Sequence, residues 1–471
     1  TFPGSNLVGE TIDSPSDISI EITMEQENNK LIAWGVIRGL EHTTELSQEF
    51  LLVDINNYRN EINRNIRRFA FMLLSQHQGK PISNYGILTG VRPVKLVHRF
   101  MDEMVSREEI INILQNDFYL HSEKAKLLTE VAFNNREYLL DKETAKKLVS
   151  VYIGIPYCPT RCYYCSFPGA VLKNYETEMV PFLEVLLEEI KTIGNYLKTQ
   201  DMKVQTIYIG GGTPTILSET DMAKLLETMN DYLISNSTIE ITVEAGRPDT
   251  LTPNKLLILK EGGVSRVCIN PQTMNDKTLQ LIGRQHNEKE VIDAVELARS
   301  IGFEQINMDI IVGLPGENKN EYMYTIKQVL NLLPENLTLH TLALKRGSTM
   351  AEKEGKNMEM RISQVEEGVK LFTQMLYESG YLPYYLYRQK YMRGDMENIG
   401  FSKPDDFCIY NIQMIEEKQT IIGIGGGSAS KFVNPIDWTL SSVYNPKDPQ
   451  TYLNMMQELV NRKVDKLRGL N

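Results

Sequence analysis

Six short apolar runs recur between residues 149 and 345, and their alternation with longer amphipathic stretches constrains the fold more than any other feature. The runs are VYIGI (151–155), TIYIGG (206–211), EITVEAG (240–246), SRVCINP (265–271), INMDIIVGL (306–314) and LTLHTLAL (337–344). Helical patterns lie between them at 175–198, 218–234, 275–301 and 318–333. Strands that are apolar along nearly their whole length are buried on both faces, and strand–helix alternation implies a parallel sheet with helices packed outside. The reading is α/β, with six units predicting a partial (β/α)6 TIM-like barrel rather than a full one of eight. In such barrels the reactive groups gather at the carboxyl ends of the strands.

The flanks differ in texture. Residues 1–148 predict an N-terminal α+β domain. Strand-like runs at 18–24 and 31–38 form a hairpin across Glu-Asn-Asn, and helices follow from 58–76 to about Asp141. Within them, NRNIRRFA reads as an amphipathic helix with a basic solvated face. Residues 149–345 are the barrel, and residues 346–471 predict a mixed C-terminal capping region at its mouth. The glycines at 423–427 follow an apolar strand and suit close packing or a tight turn.

Lys plus Arg number 50 against 61 Asp plus Glu, a net charge of −11 that argues against nucleic acid or an anionic membrane as partner. No run approaches the roughly 18 apolar residues of a membrane span. The opening TFPGSNLVGE has no signal-peptide plan. Of five cysteines, three crowd into eight residues, so a disulfide framework is not expected and a reducing cytoplasm is.

Those three, Cys158, Cys162 and Cys165, are spaced C-x3-C-x2-C directly after the first barrel strand. Thiolates are the usual ligands of iron–sulfur clusters. Three rather than four leave one iron of a [4Fe–4S] cluster open to chelate the amino and carboxylate groups of S-adenosylmethionine (SAM). Reductive cleavage of that sulfonium releases a 5′-deoxyadenosyl radical, so the cofactors supply the difficult chemistry. The competing readings are a zinc site, with Cys268 or Cys408 as fourth donor, and three inert buried thiols. Tyr157, Tyr163 and Tyr164 would shield a cluster or simply pack.

Gly210-Gly-Gly-Thr-Pro-Thr215 ends the second strand, where glycines let backbone approach a ligand and offer carbonyls to the SAM ammonium. Glu244 ends the third strand and suits the ribose hydroxyls. Gln272 follows the fourth. Arg284 comes next and suits the SAM carboxylate. Asp309 sits inside the apolar fifth strand, where a carboxylate is costly unless paired or ligand-bound. Each of these also reads as a satisfied structural hydrogen bond or ion pair. His286 reads as a loop residue and Cys268 as a small buried hydrophobe.

Together YIGIPYCPTRCYYCSF, GGGTPT, GVSRVCINPQTMND and INMDIIVGLPGE resemble the oxygen-independent coproporphyrinogen III oxidase family of radical SAM proteins, over about residues 149–435. YYLYRQKYMRGDMENIGFSKP, NIQMIEEKQTIIGIGGGSASKF and TGVRPVKL are most similar to its HemZ-type branch. The resemblance implies SAM contacts at Tyr152, Gly211, Gly212, Thr213, Glu244, Gln272, Arg284, Asp309 and Ala343. It implies oxidative decarboxylation of two propionates of coproporphyrinogen III to vinyls, giving protoporphyrinogen IX. An external electron donor such as flavodoxin or ferredoxin is implied as well. For a tetracarboxylate tetrapyrrole, Arg388, Lys390 and Arg393 are the substrate-binding candidates, because Arg forks match carboxylates, and Arg161 is a further one. An exposed polar connection is the other reading of that stretch.

Ser166-Phe167 continues the thiol loop where the oxidases carry a further Cys, in the form that heme chaperones share. Asn398-Ile-Gly-Phe stands where the oxidases have a stretch that helps hold a second SAM. Tyr410-Asn411 stands in place of the chaperones' His-Asn. The alternatives are therefore a radical SAM enzyme that opens the heme ring anaerobically and a heme-binding chaperone without turnover.

Overall fold

The computed structural model describes residues 18–52, 58–165, 170–343, 362–389 and 395–470. The chain divides into two compact units, Thr1–Thr129 and Glu130–Asn471.

In the first unit, β1 (Ile18–Glu27), β2 (Lys30–Gly39) and β3 (Thr43–Leu51) form an antiparallel sheet in chain order. Alternate residues of β2, Leu31, Ala33 and Ile37, are buried with Phe69 and Leu73 of helix α1 (Tyr58–Gln78). The expected hairpin is present. The third strand was not foreseen, because Thr44 and Gln48 occupy inward positions and blur the apolar alternation. Arg68, on the expected basic face of α1, lies over the rings of Phe50 and Tyr119 at 5.5 and 5.6 Å, so that face is only partly solvated. Helices α2 (Val94–Asp102), α3 (Arg107–Asn116) and α4 (Ser122–Asn135) follow.

In the second unit, α5 (Lys142–Lys147) leads into β4 (Leu148–Ile155). A two-residue ladder joins β5 (Tyr157–Cys158) to β6 (Ala170–Val171). The main run continues α6 (Val180–Thr199), β7 (Lys203–Gly211), α7 (Glu219–Tyr232), β8 (Glu240–Glu244), α8 (Pro253–Glu261) and β9 (Arg266–Cys268). It ends with α9 (Asp276–Leu281), α10 (Glu288–Ile301), β10 (Gln305–Val312), α11 (Lys319–Asn331) and β11 (Asn336–Thr341). Strands β4, β7, β8, β9, β10 and β11 pair in parallel in that order, which is the six-unit α/β arrangement expected. Helix starts are set locally: Ser218 and Thr252 cap α7 and α8, and Asn287 and Asn318 form capping boxes with Glu290 and Glu321. Helix α8 was not foreseen, since PNKLLILKE clusters its apolar residues without a helical period.

The rest of the chain extends the sheet at both edges to eleven strands, and it does not close on itself. Beyond β11 lie β13 (Asn398–Ser402) and β12 (Leu382–Tyr387), preceded in sequence by α12 (Ile362–Glu378). Beyond β4 lie β14 (Thr420–Gly425), β15 (Ala429–Val433) and β16 (Leu440–Tyr444), with α13 (Ile409–Glu416) before them and α14 (Pro449–Arg468) after. The glycine segment after β14 packs closely: a Cβ on Gly154 of β4 would come within 2.6 Å of the Gly426 carbonyl oxygen.

The sheet is nearly dry on both faces. In the carboxyl halves of five strands, however, one side chain keeps part of its surface open: Tyr152, Tyr208, Glu244, Asp309 and His340. These outline the lumen. Tyr410, from α13, stacks on Tyr208 with centroids 4.7 Å apart and reaches Tyr152 at 6.3 Å, adding a third aromatic ring beside them. Among the described residues no helix is long and apolar enough to cross a membrane.

Candidate functional site

The thiol loop starts where β4 ends. It is pinned from the neighbouring strand by Gly212 N–H donating to the Ile155 carbonyl at 2.7 Å and Thr213 N–H to the Tyr157 carbonyl at 2.8 Å. From the far side, Tyr163 N–H donates to the Ile282 carbonyl at 3.0 Å. Cys158, Cys162 and Cys165 are all partly exposed. Burial pushes the Cys158 thiol up, and the Thr213 hydroxyl, donating to its sulfur at 3.5 Å, opposes that. A thiol held protonated in this way binds metal by releasing its proton.

Two buried cations, Arg247 and then Arg284, act electrostatically on Cys158, and Cys162 and Cys165 act on Arg284. The two further cysteines are elsewhere. Cys408 donates to Glu240 at 3.3 Å at the amino end of the strands, and Cys268 lies 3.8 Å from the Tyr208 hydroxyl. Among the described residues no three His, Cys, Asp or Glu side chains, the three loop thiols included, are drawn together as ligands of a single ion, so the ligand reading rests on the loop's sequence and its place at the strand end. The donor chemistry, three thiols and no fourth, fits a cluster with one open iron better than a closed zinc site.

The glycine loop fits a cradle. A Cβ on Gly212 would meet the Tyr157 carbonyl oxygen at 2.4 Å and Cys158 Sγ at 3.0 Å; one on Gly210 would meet Glu244 Oε2 at 2.9 Å and the Tyr152 hydroxyl at 3.1 Å. Only glycine lets the thiol loop, the loop after β7 and Glu244 approach this closely. Glu244 accepts from the Tyr208 hydroxyl at 3.0 Å. Burial, reinforced by the charge of Asp309, pushes its carboxyl up to about 7.

Gln272 adopts φ +67°, a left-handed conformation that costs a non-glycine residue roughly 1–3 kcal/mol. It is locked there by its N–H to the Asp309 carbonyl at 3.0 Å and by Ile311 N–H to its own carbonyl at 2.9 Å. Arg284 stands in the break between α9 and α10. It donates to the Gly246 carbonyl and the Tyr164 hydroxyl, each at 3.0 Å, and its Nε is buried with no partner among the described residues. An orphaned buried donor of this kind is what an anionic ligand group would satisfy. His286, two residues on, is buried with the Pro271 carbonyl as its backbone neighbour. Burial and then the Arg284 charge push it down to about 4, so it is neutral near pH 7.

Asp309 is paired. Burial works against its charge, but His340 at 3.7 Å and the Asn307 amide at 2.9 Å hold its carboxyl below the usual range.

Tyr152, Gly211, Gly212, Thr213, Glu244, Gln272, Arg284 and Asp309 thus lie along the carboxyl halves and exits of consecutive strands, with Ala343 two residues past β11. Through β13, β12 runs parallel to β11, so Arg388 leaves its strand at this same mouth, ion-paired with Asp395. Lys390 and Arg393, like Ser166 and Phe167, lie outside the described residues. Arg161 is exposed on the thiol loop. Three lumen or loop residues were missed. Tyr208 and His340 sit inside runs that read only as strand, and Arg247, in EAGRPD, carries no motif.

Residues 152–329 match the family model described as the radical SAM superfamily. The chain is 38% identical to the oxygen-independent coproporphyrinogen-III oxidase-like protein HemZ of Bacillus subtilis, over 97% of this chain and 92% of that one. It is 39% identical to the heme chaperone HemW of the same organism, over 42% of this chain and 51% of that one. Among solved structures it resembles the coproporphyrinogen III oxidase HemN of Escherichia coli, a radical SAM enzyme, with a TM-score of 0.55, 22% identity and coverage of 70% and 73%.

Proposed function

We propose that this chain, which belongs to the radical SAM family of oxygen-independent coproporphyrinogen-III oxidase-like proteins, oxidatively decarboxylates two propionates of coproporphyrinogen III to vinyls. The observation that carries this is the C-x3-C-x2-C loop leaving β4 at the same strand mouth as Arg284 and Glu244, above a lumen lined with aromatic rings. With a [4Fe–4S] cluster and SAM bound, those groups supply one electron and a hydrogen-abstracting carbon radical.

The residues do the rest. Cys158, Cys162 and Cys165 would hold the irons. Arg284, with its unpartnered Nε, would meet the SAM carboxylate, and the backbone from Gly210 to Thr213 would receive the ammonium. Glu244 takes the ribose hydroxyls, a role its near-neutral carboxyl suits both as acceptor and as donor. Tyr152, Tyr208 and Tyr410 exclude water beside the reacting carbon. Arg388 would meet a propionate carboxylate at the mouth, and Lys390 and Arg393 are the further candidates from the sequence. Each turnover would pass a hydrogen atom from a propionate β-carbon to the SAM-derived carbon radical and release CO2, with the remaining electron passing to a one-electron acceptor. An external donor such as flavodoxin or ferredoxin delivers the initiating electron in a reducing cytoplasm.

Similarity to HemZ runs over 97% of this chain, whereas the HemW proteins of Bacillus subtilis and Escherichia coli match 42% and 61% of it, which supports a HemZ-type reading over a HemW-type one. Anaerobic reconstituted protein with SAM, a reductant and coproporphyrinogen III is expected to yield vinyl product with 5′-deoxyadenosine. Consumption of heme instead would move the reading to ring opening. Tight heme binding without substrate-dependent SAM turnover would move it to a chaperone.

A further inference from the structure

We propose that Arg247 is a positioning residue that clamps the thiol loop and places a fixed positive charge beside it, so that the loop is shaped before iron arrives. Arg247 follows β8 in the turn Gly246-Arg-Pro-Asp249 and is 4% exposed. Its Nη1 donates twice to Thr160, to the carbonyl at 3.2 Å and the hydroxyl at 2.9 Å. Thr160 is the midpoint of the segment between Cys158 and Cys162. Nε and Nη2 grip the two oxygens of Asp249 at 3.1 and 3.0 Å. The turn itself is closed by Thr250, whose N–H and hydroxyl both donate to the Arg247 carbonyl, at 2.9 and 2.8 Å.

A guanidinium has five N–H donors in a rigid fork. Four of these are spent here, two on the loop and two on Asp249, so little is left for a ligand. Arg284 differs: its Nε is unanswered, and its Nη1 rests on the carbonyl of Gly246, the residue before Arg247. One turn therefore sets two guanidiniums, one turned to the cofactor and one to the loop that holds it. Lysine could keep the charge but not the double grip.

The charge has its own consequence. A reduced cluster on three thiolates is more negative than an oxidised one, so a buried cation nearby favours reduction and raises the potential. Asp249 offsets part of that.

The inference rests on a cluster at the three thiols and is independent of which tetrapyrrole is used. The full chain, reconstituted anaerobically, is compared with Arg247→Gln, Arg247→Lys and Thr160→Val. Iron and sulfide content, iron loss to a chelator, and midpoint potential by electron paramagnetic resonance are read. Arg247→Gln should lose iron several-fold faster and show a more negative potential. Arg247→Lys should keep the potential near wild type but still lose iron faster. Thr160→Val should show a smaller acceleration at unchanged potential.

Wild-type iron retention in Arg247→Lys and Thr160→Val overturns the clamp, and an unshifted potential in Arg247→Gln overturns the charge. Should Arg247→Gln fail to fold, Arg247→Lys and Thr160→Val decide the clamp, and Asp249→Asn, expected to raise the potential, decides the charge. A wild-type protein that takes up no cluster fails at a different point, in the cofactor reading itself.

Discussion

Strand β8 begins and ends in a glutamate, and the two carboxylates have opposite surroundings. Glu240, at the amino end, accepts from the Arg266 guanidinium at 2.6 Å, the backbone N–H groups of Ile409 and Tyr410 at 3.0 and 3.1 Å, and the Cys408 thiol. Arg266 in turn donates to the Asn336 amide oxygen, the Gln305 amide oxygen and the Asp406 carbonyl. Glu244, at the carboxyl end, has Tyr208 and the Gly211 backbone on its side and the charge of Asp309 against it. One end of the sheet is saturated and also anchors the start of α13, where an acceptor suits the helix dipole. The other keeps spare capacity: a near-neutral carboxyl, an orphaned Arg284 Nε and a strained Gln272. The same residue type on the same strand is closed into a network at one end and left with unmet capacity at the other, the end where the barrel architecture expects chemistry.

The sharpest way to separate the two ends is to disable one without touching the other. Cys162→Ala should abolish cluster absorbance and all SAM cleavage, while the urea midpoint of the cluster-free protein stays at the wild-type value, because Cys162 is partly exposed. Retained cleavage would sink the cluster assignment. Glu240→Ala should do the reverse. Removing one partner of a buried ion pair leaves an uncompensated charge and costs about 3–5 kcal/mol, read as a lower urea midpoint. Protein that stays folded should bind SAM as before; a midpoint near wild type would show that the amino end carries no special load.

Glu244 supplies a pH-dependent test. Its carboxyl rises from the ordinary 4.5 to about 7 in the folded chain. Between those values the folded state binds more protons than the unfolded one, so stability falls as pH rises. The favourable contribution is complete below the unfolded pKa and is lost on passing through the folded one. Glu244→Gln, neutral throughout, should therefore match wild type near pH 4 and exceed it by about 3 kcal/mol above pH 8. Glu317 is pushed up to about 7 as well, chiefly by burial, so the readout is the difference between the two proteins and not the slope of either. The same variant should bind SAM more weakly. A difference that does not change with pH would remove Glu244 from the strained set.

What the sequence makes legible follows the same division. The thiol spacing, the glycine loop and the polar residues closing apolar strands are readable because each is a short pattern tied to one strand end. Arg247 and His340 are not, since their significance lies in what another segment brings to them: Thr160 from the thiol loop, Asp309 from the neighbouring strand. Tyr410 reads only as a departure from the chaperones' His-Asn, as nothing in IYNIQMIE announces that the start of α13 sends a ring against Tyr208. Strand β3 and helix α8 were lost to weak periodicity. The charges of Glu240 and Arg266 sat at the edges of apolar runs, where charge normally signals the solvent end of a strand.

The smallest effect is expected at Arg388. It emerges at the mouth with the other functional groups, but its guanidinium is already engaged by Asp395. A charge-assisted hydrogen bond to a substrate carboxylate contributes ~1.5–3 kcal/mol. Sharing the guanidinium with Asp395 puts the gain at the low end of that range, so Arg388→Ala should weaken binding of coproporphyrinogen by about tenfold and leave SAM affinity unchanged. Asp395→Asn should tighten substrate binding, because it removes a competing carboxylate without removing the fork. Equilibrium titration of both variants under anaerobic conditions reads the pair. If neither shifts, Arg388 does not meet the substrate, and the propionates must be met by Lys390, Arg393 or another cation of the chain.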